Sequence, residues 1–399
     1  VIVHVPRRWA PSHWGGTESY LAALAAGLGT PQRLITTTAL CAEPSGDCAG
    51  VPVERHPYFY PVWRLDPGLA ARWDASGGNL VSGGVAAAIS RLPDLRLVHL
   101  HTGNRLGAQA MLAARKRGVP TVLTLHGGYF TIPAAERASL AGGGRKRGWE
   151  WGRFLSLLLG TRRLLSRVDA IVCVGPAEFA AVREHLPQQR VRLIPGGVEV
   201  ARWTNGDGAA ARARLGLGAG PVLAAIGRID HQKDPATLVR AWLRLPTPRP
   251  HLVLAGAETE PGLGAELRAL AADAPGLVLA GQLPQAELAD LLATATVMVL
   301  PSRHEPFGIS ILEAWAAGRG VIAADSDGPR HLLADGAAGA LFPVGDDVAL
   351  AGLLTSALAD PARATAWGAA ARAQAQDHTW TTRIAAHRAL YAELGVACG

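Results

Sequence analysis

Two α/β domains, each wound around a parallel sheet, are what this sequence predicts, and three observations carry the prediction. Short runs of Val, Leu and Ile alternate with Ala- and Leu-rich stretches of helical spacing. Such alternation implies crossover connections and therefore parallel strands. The alternation runs to about residue 194, halts in a Gly-, Ala- and Arg-rich segment at 205–220, and restarts at Val222. At 399 residues the chain is too long for one ordinary core and fits two domains of about 200 residues each.

Composition narrows the class. A chain that is 49% hydrophobic and 18% charged is globular. Its apolar runs, of which 154–159 is one, fall short of the ~18 residues a spanning helix needs. The chain opens directly on the strand-like Val-Ile-Val-His-Val, so a cytoplasmic protein is the expectation. Cys41, Cys48, Cys173 and Cys398 have neither zinc-site spacing nor a disulfide framework. A formal charge of +7 suits polyanionic partners. With no nucleic-acid module to concentrate that charge, phosphate-bearing substrates explain it and no nucleic-acid partner is expected.

In the first half, strands are expected at 1–6, 33–38, 97–101, 121–126, 170–174 and 190–194. The first leads into Trp14-Gly15-Gly16-Thr17-Glu18 and an Ala/Leu helix. A glycine pair at a helix start lets backbone amides approach a phosphate, although plain turn chemistry gives the same letters. Two strand ends carry histidines, His101-Thr102-Gly103 and His126-Gly127-Gly128, each of which fits either a structural hydrogen bond or a ligand contact. Residues 142–167 hold seven basic side chains and one acid among Trp and Phe. That composition fits contact with an anionic membrane surface, or a loop feeding a core helix; the second is preferred.

In the second half, strands are expected at 222–226, 251–255, 277–280, 297–300, 320–324 and 340–342, and the chain after Pro361 is expected to be helical. Ligands of such sheets bind beyond the carboxyl ends of the strands. Two segments there carry chemistry. Gly227-Arg228 ends the first strand and Lys233 opens the following helix. A guanidinium fork and a compact ammonium together can neutralise a diphosphate leaving group without a metal. After the strand at 297–300 comes Glu305-Pro306-Phe307-Gly308, then a helix from about Ile309 that contains Glu313. The amides of Phe307, Gly308 and Ile309 would face an anion at that helix start, with the two carboxylates placed to take hydroxyls. Read alone, the same letters describe a turn and a solvated helix glutamate. Asp325-Ser326-Asp327 has the letters of a metal motif but no further oxygen ligands of suitable spacing; it is read as a turn, and no metal site is expected.

The run Glu305-Pro-Phe-Gly-Ile-Ser-Ile-Leu-Glu313-Ala-Trp-Ala-Ala-Gly318 resembles the E-x7-E signature of the large GT-B family of retaining glycosyltransferases, family 4 or group 1. Gly227-Arg228 through Lys233 resembles the family's G-R-x-x-x-x-K-G segment, with Asp234 in place of its second Gly, and Gly15-Gly16-Thr17-Glu18 resembles its G-G-x-E loop. The resemblance implies two Rossmann-like domains facing across a cleft: 1–200 on the acceptor side, completed by the last helix at 378–399, and 201–377 holding a nucleotide sugar. It implies that Arg228 and Lys233 stabilise the leaving diphosphate, that Glu305 and His126 hold the sugar, and that Glu313 holds the ribose. Gly15, Gly16, Gly227, Phe307, Gly308 and Ile309 would line the donor, and the turn at Gln282-Leu283 would meet the base. Trp14, His101 and Tyr129 would face the acceptor. A metal-independent, retaining transfer with no cofactor beyond the nucleoside-diphosphate sugar follows, and a small natural product is preferred as acceptor over a lipid or a polysaccharide. A nucleotide-sugar epimerase of the same architecture and a non-catalytic partner subunit are the alternatives.

Overall fold

The computed structural model describes residues 1–10, 15–132, 150–272 and 274–398. Trp14, Trp149 and the basic letters at 145–147 lie outside the described residues. The chain forms two compact units, Val1–Pro195 together with Thr381–Gly399, and Gly196–Trp380.

The first unit is built on an eight-stranded sheet. Its strands are β1 (Ile2–Val5), β2 (Gln32–Thr37), β3 (Ser45–Cys48), β4 (Val51–His56), β5 (Leu97–Leu100), β6 (Thr121–Leu125), β7 (Ala170–Cys173) and β8 (Val191–Leu193), in the order β3-β4-β2-β1-β5-β6-β7-β8. Six of the eight fall on the apolar runs of the sequence. The pair β3 and β4 is not visible there, because Ser45-Gly46-Asp47 is exposed and polar; it joins as an edge ribbon whose mutual pairing is the sheet's antiparallel one. Alternation sends Val3, Val5, Val98, Leu100, Leu123 and Leu125 into one core. The register sets His4 beside His99 on β1 and β5. Their period-two position turns both to the opposite face, where Tyr391 of the C-terminal helix Trp380–Glu393 bonds His99.

The second unit has six parallel strands: β9 (Val222–Ile226), β10 (His251–Ala255), β11 (Leu277–Gly281), β12 (Val297–Leu300), β13 (Val321–Ala324) and β14 (Gly339–Phe342), in the order β11-β10-β9-β12-β13-β14. Both faces are covered, which is why these strands read as continuous apolar runs. Val222, Ala224 and Ile226 enter the core around Trp315, while Leu223, Val297 and Val299 enter the one around Trp242. Strand order reverses at β9, flanked by β10 and β12, and in the first unit at β1, flanked by β2 and β5. These reversals are where open α/β sheets take ligands. Among the described residues, no helix is long and apolar enough to cross a membrane.

Candidate functional site

The second unit's site is assembled by two loops that leave adjacent strands. β9 ends into Gly227, whose N–H bonds the Ala255 carbonyl at 3.0 Å, and the loop turns to helix Pro235–Leu243. Asp230, 4% exposed, organises that turn: it accepts the Lys233 N–H at 2.8 Å and pairs with Arg228 Nη1 at 2.9 Å. Arg228 Nη2 also donates to Gln232 Oε1 at 3.0 Å. Gln232 in turn donates to the His304 carbonyl and accepts, on its own carbonyl, from the Arg303 N–H, so the β9 and β12 loops are tied together. Asp230 and Gln232 were not singled out by sequence reading; their signal was only their place between the two cations.

Lys233 reaches the β12 loop directly, its Nζ 2.5 Å from Glu305 Oε2. Both side chains keep some exposure, 21% and 12%, and Lys233 lines a hollow together with Gly227, Arg228 and Pro301. Asp234 stands in the left-handed region, at φ 47° and ψ 51°. A glycine suits that conformation, and aspartate is among the few side chains that tolerate it. This aspartate also caps the helix, accepting from Thr237 N–H at 3.3 Å and Thr237 Oγ1 at 2.8 Å, and pairs with Arg303 at 3.0 Å.

The second helix start is Gly308, at φ 98°, preceding helix Ile309–Ala316 with no side-chain cap. Phe307 is buried, and its carbonyl lies where a Cβ on Gly328 would fall, 2.3 Å away. Glu305 O accepts the Gly328 N–H at 2.8 Å. The Asp325-Ser326-Asp327 run expected as a turn instead opens a short helix, Asp327–Leu332, and Asp325 is engaged by Arg330 Nε at 2.7 Å. One turn into helix Ile309–Ala316, Glu313 is half-buried and its carboxylate has no hydrogen-bond partner among the described residues. Desolvation pushes its carboxyl up to about 7, offset in part by the positive field of Arg202. An unpaired, dehydrated carboxylate is costly unless a ligand supplies donors. Gln282 is exposed and Leu283 half-buried just past β11, two strands from β9, about 10 Å at ordinary strand spacing.

In the first unit, helix Gly16–Gly27 begins at Gly15 in extended backbone with no side-chain cap, and Glu18 in its first turn pairs with Arg8 at 3.4 Å. His126 follows β6 and is half-buried; Nε2 lies 3.1 Å from His101 Nδ1. Burial lowers its pKa to about 4. His101 itself is 7% exposed with both ring nitrogens occupied, by His126 and by His4 at 3.2 Å. Tyr129 is 43% exposed, and its N–H donates to the buried Glu178 carboxylate at 3.2 Å. One ring nitrogen from each of His4, His99 and His101 lies within 4.8 Å of the others. All six ring nitrogens already have protein partners: His99 bonds Tyr391 and Thr124, while His4 and His101 bond each other, Gln32 and His126.

Comparison with known proteins follows the two units. Residues 14–202 match the family described as "Glycosyltransferase Family 4", and residues 210–374 the family described as "Glycosyl transferases group 1". The chain is 31% identical over 339 residues to the D-inositol 3-phosphate glycosyltransferase of Acidothermus cellulolyticus, covering 75% of this chain and 71% of that protein. It is 29% identical over 400 residues to the alpha-maltose-1-phosphate synthase of Mycolicibacterium smegmatis, covering 95% of both. Among solved structures, sucrose-phosphate synthase from Thermosynechococcus elongatus superposes with a TM-score of 0.73 at 23% identity, covering 98% of each chain. Anabaena HepE in complex with UDP and glucose gives 0.75 at 18% identity, over 98% of this chain and 99% of that one.

Proposed function

Because this chain belongs to the group 1, family 4 glycosyltransferases and has their GT-B fold, we propose that it moves a sugar from a nucleoside diphosphate to a small-molecule acceptor with retention of anomeric configuration and without a metal. The observation that carries this reading is the Lys233–Glu305 pair, with Arg228 beside it, at the carboxyl ends of β9 and β12.

On this reading, Arg228 and Lys233 neutralise the diphosphate as its charge grows, with the amides of Gly308 and Ile309 adding donors. Glu305 holds Lys233 in place and meets the sugar; Glu313, left without a partner by its own helix, takes the ribose hydroxyls. Gly227 lets the backbone approach the phosphates, and the turn at Gln282-Leu283 receives the base. From the first unit, Gly15 and Gly16 offer backbone amides and His126 a ring nitrogen to the sugar. Cleavage of the bond from anomeric carbon to phosphate oxygen is accompanied by attack of an acceptor oxygen on the same face, and the acceptor's proton passes to the departing phosphate. Two cations in place of a divalent ion support metal independence. UDP and UDP-glucose are bound by the HepE structures and are the first donors to try.

The exposed Tyr129, and the stack of Phe59 on Trp151 with centroids 6.1 Å apart, support an aromatic or amphipathic aglycone, of the kind natural products present. The test is transfer in the presence of EDTA, with the product's anomeric coupling read by NMR. A product of the donor's own anomeric configuration supports the reading; inversion, or a strict need for a divalent ion, refutes it.

A further inference from the structure

The face of the first sheet opposite its main core carries a line of polar groups. Gln32 Nε2 donates to the Ala25 carbonyl at 2.8 Å, and Gln32 Oε1 lies 2.9 Å from His4 Nε2. His4 Nδ1 lies 3.2 Å from His101 Nε2, and His101 Nδ1 lies 3.1 Å from His126 Nε2. His4 is fully buried. One end of this line has a fixed direction. A backbone carbonyl only accepts, so the Gln32 amide must turn its NH2 to Ala25 and its oxygen to His4. His4 Nε2 therefore carries the proton.

The rest follows ring by ring, because burial keeps these imidazoles neutral and a neutral ring has one donor and one acceptor. His4 Nδ1 accepts, so His101 Nε2 donates; His101 Nδ1 accepts, so His126 Nε2 donates. His126 Nδ1 is left as a bare lone pair, with no protein partner among the described residues. The line is not a proton wire, since Gln32 has no site to receive a proton and a cation on any inner ring would be buried beside its neighbours.

We propose that Gln32, His4 and His101 are positioning residues that lock His126 in its Nε2–H tautomer, so that His126 Nδ1 accepts a hydrogen bond from a hydroxyl of the bound sugar. This rests on the reading of His126 as a sugar contact. The lock makes the contact selective: Nδ1 favours a hydroxyl and repels a carboxylate or carbonyl oxygen at the same place.

Histidine-selective 15N labelling of the full chain tests the lock without a ligand. Long-range 1H–15N correlations, assigned through loss of one pattern in His126→Gln, should show a protonated Nε2 and a non-protonated Nδ1 for His126. A protonated Nδ1 in the native protein overturns the proposal. In Gln32→Met, close in size but with no amide oxygen, the reverse direction of the line becomes comparable in energy, and a second His126 pattern with Nδ1–H should appear; an unchanged single pattern also overturns it. The functional half is read from melting shifts with UDP-glucose against UDP. The extra affinity conferred by the glucose should fall several-fold in Gln32→Met while that for UDP is unchanged; equal loss for both overturns the sugar contact. If the native protein gains nothing from glucose over UDP, the reading of His126 as a sugar contact fails, and the NMR result still decides the lock.

Discussion

Lys233 Nζ meets Glu305 Oε2 at 2.5 Å across 72 residues of sequence, because β9 and β12, which deliver the two loops, are neighbours in the sheet. The contact holds the ammonium at the strand ends, and the same carboxylate keeps a second oxygen for a ligand. Lys233→Ala should lower kcat by about 10²–10³, the cost of removing one donor aimed at developing charge. Glu305→Gln, which leaves the cation but loosens it, should cost less than Lys233→Ala. Steady-state kinetics with a fixed donor separates the two.

The raised carboxyl of Glu313 gives a sign that pH can read. Its folded pKa of about 7 lies above the ordinary value of 4.5, so the stability it contributes is complete below about 4.5 and lost as pH rises through about 7. Glu313→Gln should therefore melt progressively higher than the native protein across that window. A nucleotide sugar, whose diphosphate does not titrate there, should bind the native protein more tightly as pH rises through 7, because ribose hydroxyls donate to the ionised form. That gain should vanish in Glu313→Gln.

Asp234 combines a left-handed backbone with a helix cap. Asp234→Ala loses the cap and keeps the strain, for a cost of about 1–2 kcal/mol. Asp234→Gly loses the cap and relieves the strain, and should come out close to neutral. Urea unfolding measures both, and Asp234→Gly should leave donor KM unchanged because Lys233 is held by Asp230 and Glu305.

Much of this architecture was legible as sequence. Most strands are buried on both faces and therefore apolar throughout, and twelve of the fourteen described strands stood out as apolar runs. The Glu305–Glu313 and Arg228–Lys233 spacings were visible because one short loop carries each. What stayed hidden depends on contacts between strands. β3 is an exposed, polar edge strand, and β4 beside it carries Pro, Glu, Arg and His among its two valines, so neither has a continuous apolar signature. Glu178, under the Tyr129 loop, and Asp230, under the two cations, are ordinary acids until burial makes them organisers. His4 and Gln32 lie far in sequence from His101 and His126, and only the register of β2, β1, β5 and β6 joins them.

Buried neutral histidines predict an acid limit. His4 and His126 have folded pKa values lowered to about 4, and His387 to about 3, all by desolvation first. A lowered histidine contributes stability that is present above its unfolded value of 6.5 and lost as pH falls toward the folded value. Each adds a slope of about 1.4 kcal/mol per pH unit in that window. Melting temperature should fall steeply from pH 6.5 to 4, with several protons taken up on unfolding. Replacing His4 by Asn should make the slope shallower.

Calorimetric titration of UDP, GDP, ADP and dTDP, with EDTA present, into the native protein, Lys233→Ala and Glu313→Ala tests the nucleotide site most directly. The site described predicts that one nucleotide binds with 1:1 stoichiometry and that both substitutions weaken it by at least about tenfold, 1.4 kcal/mol. Binding of none of the four to the folded native protein, or binding that neither substitution changes, would contradict it.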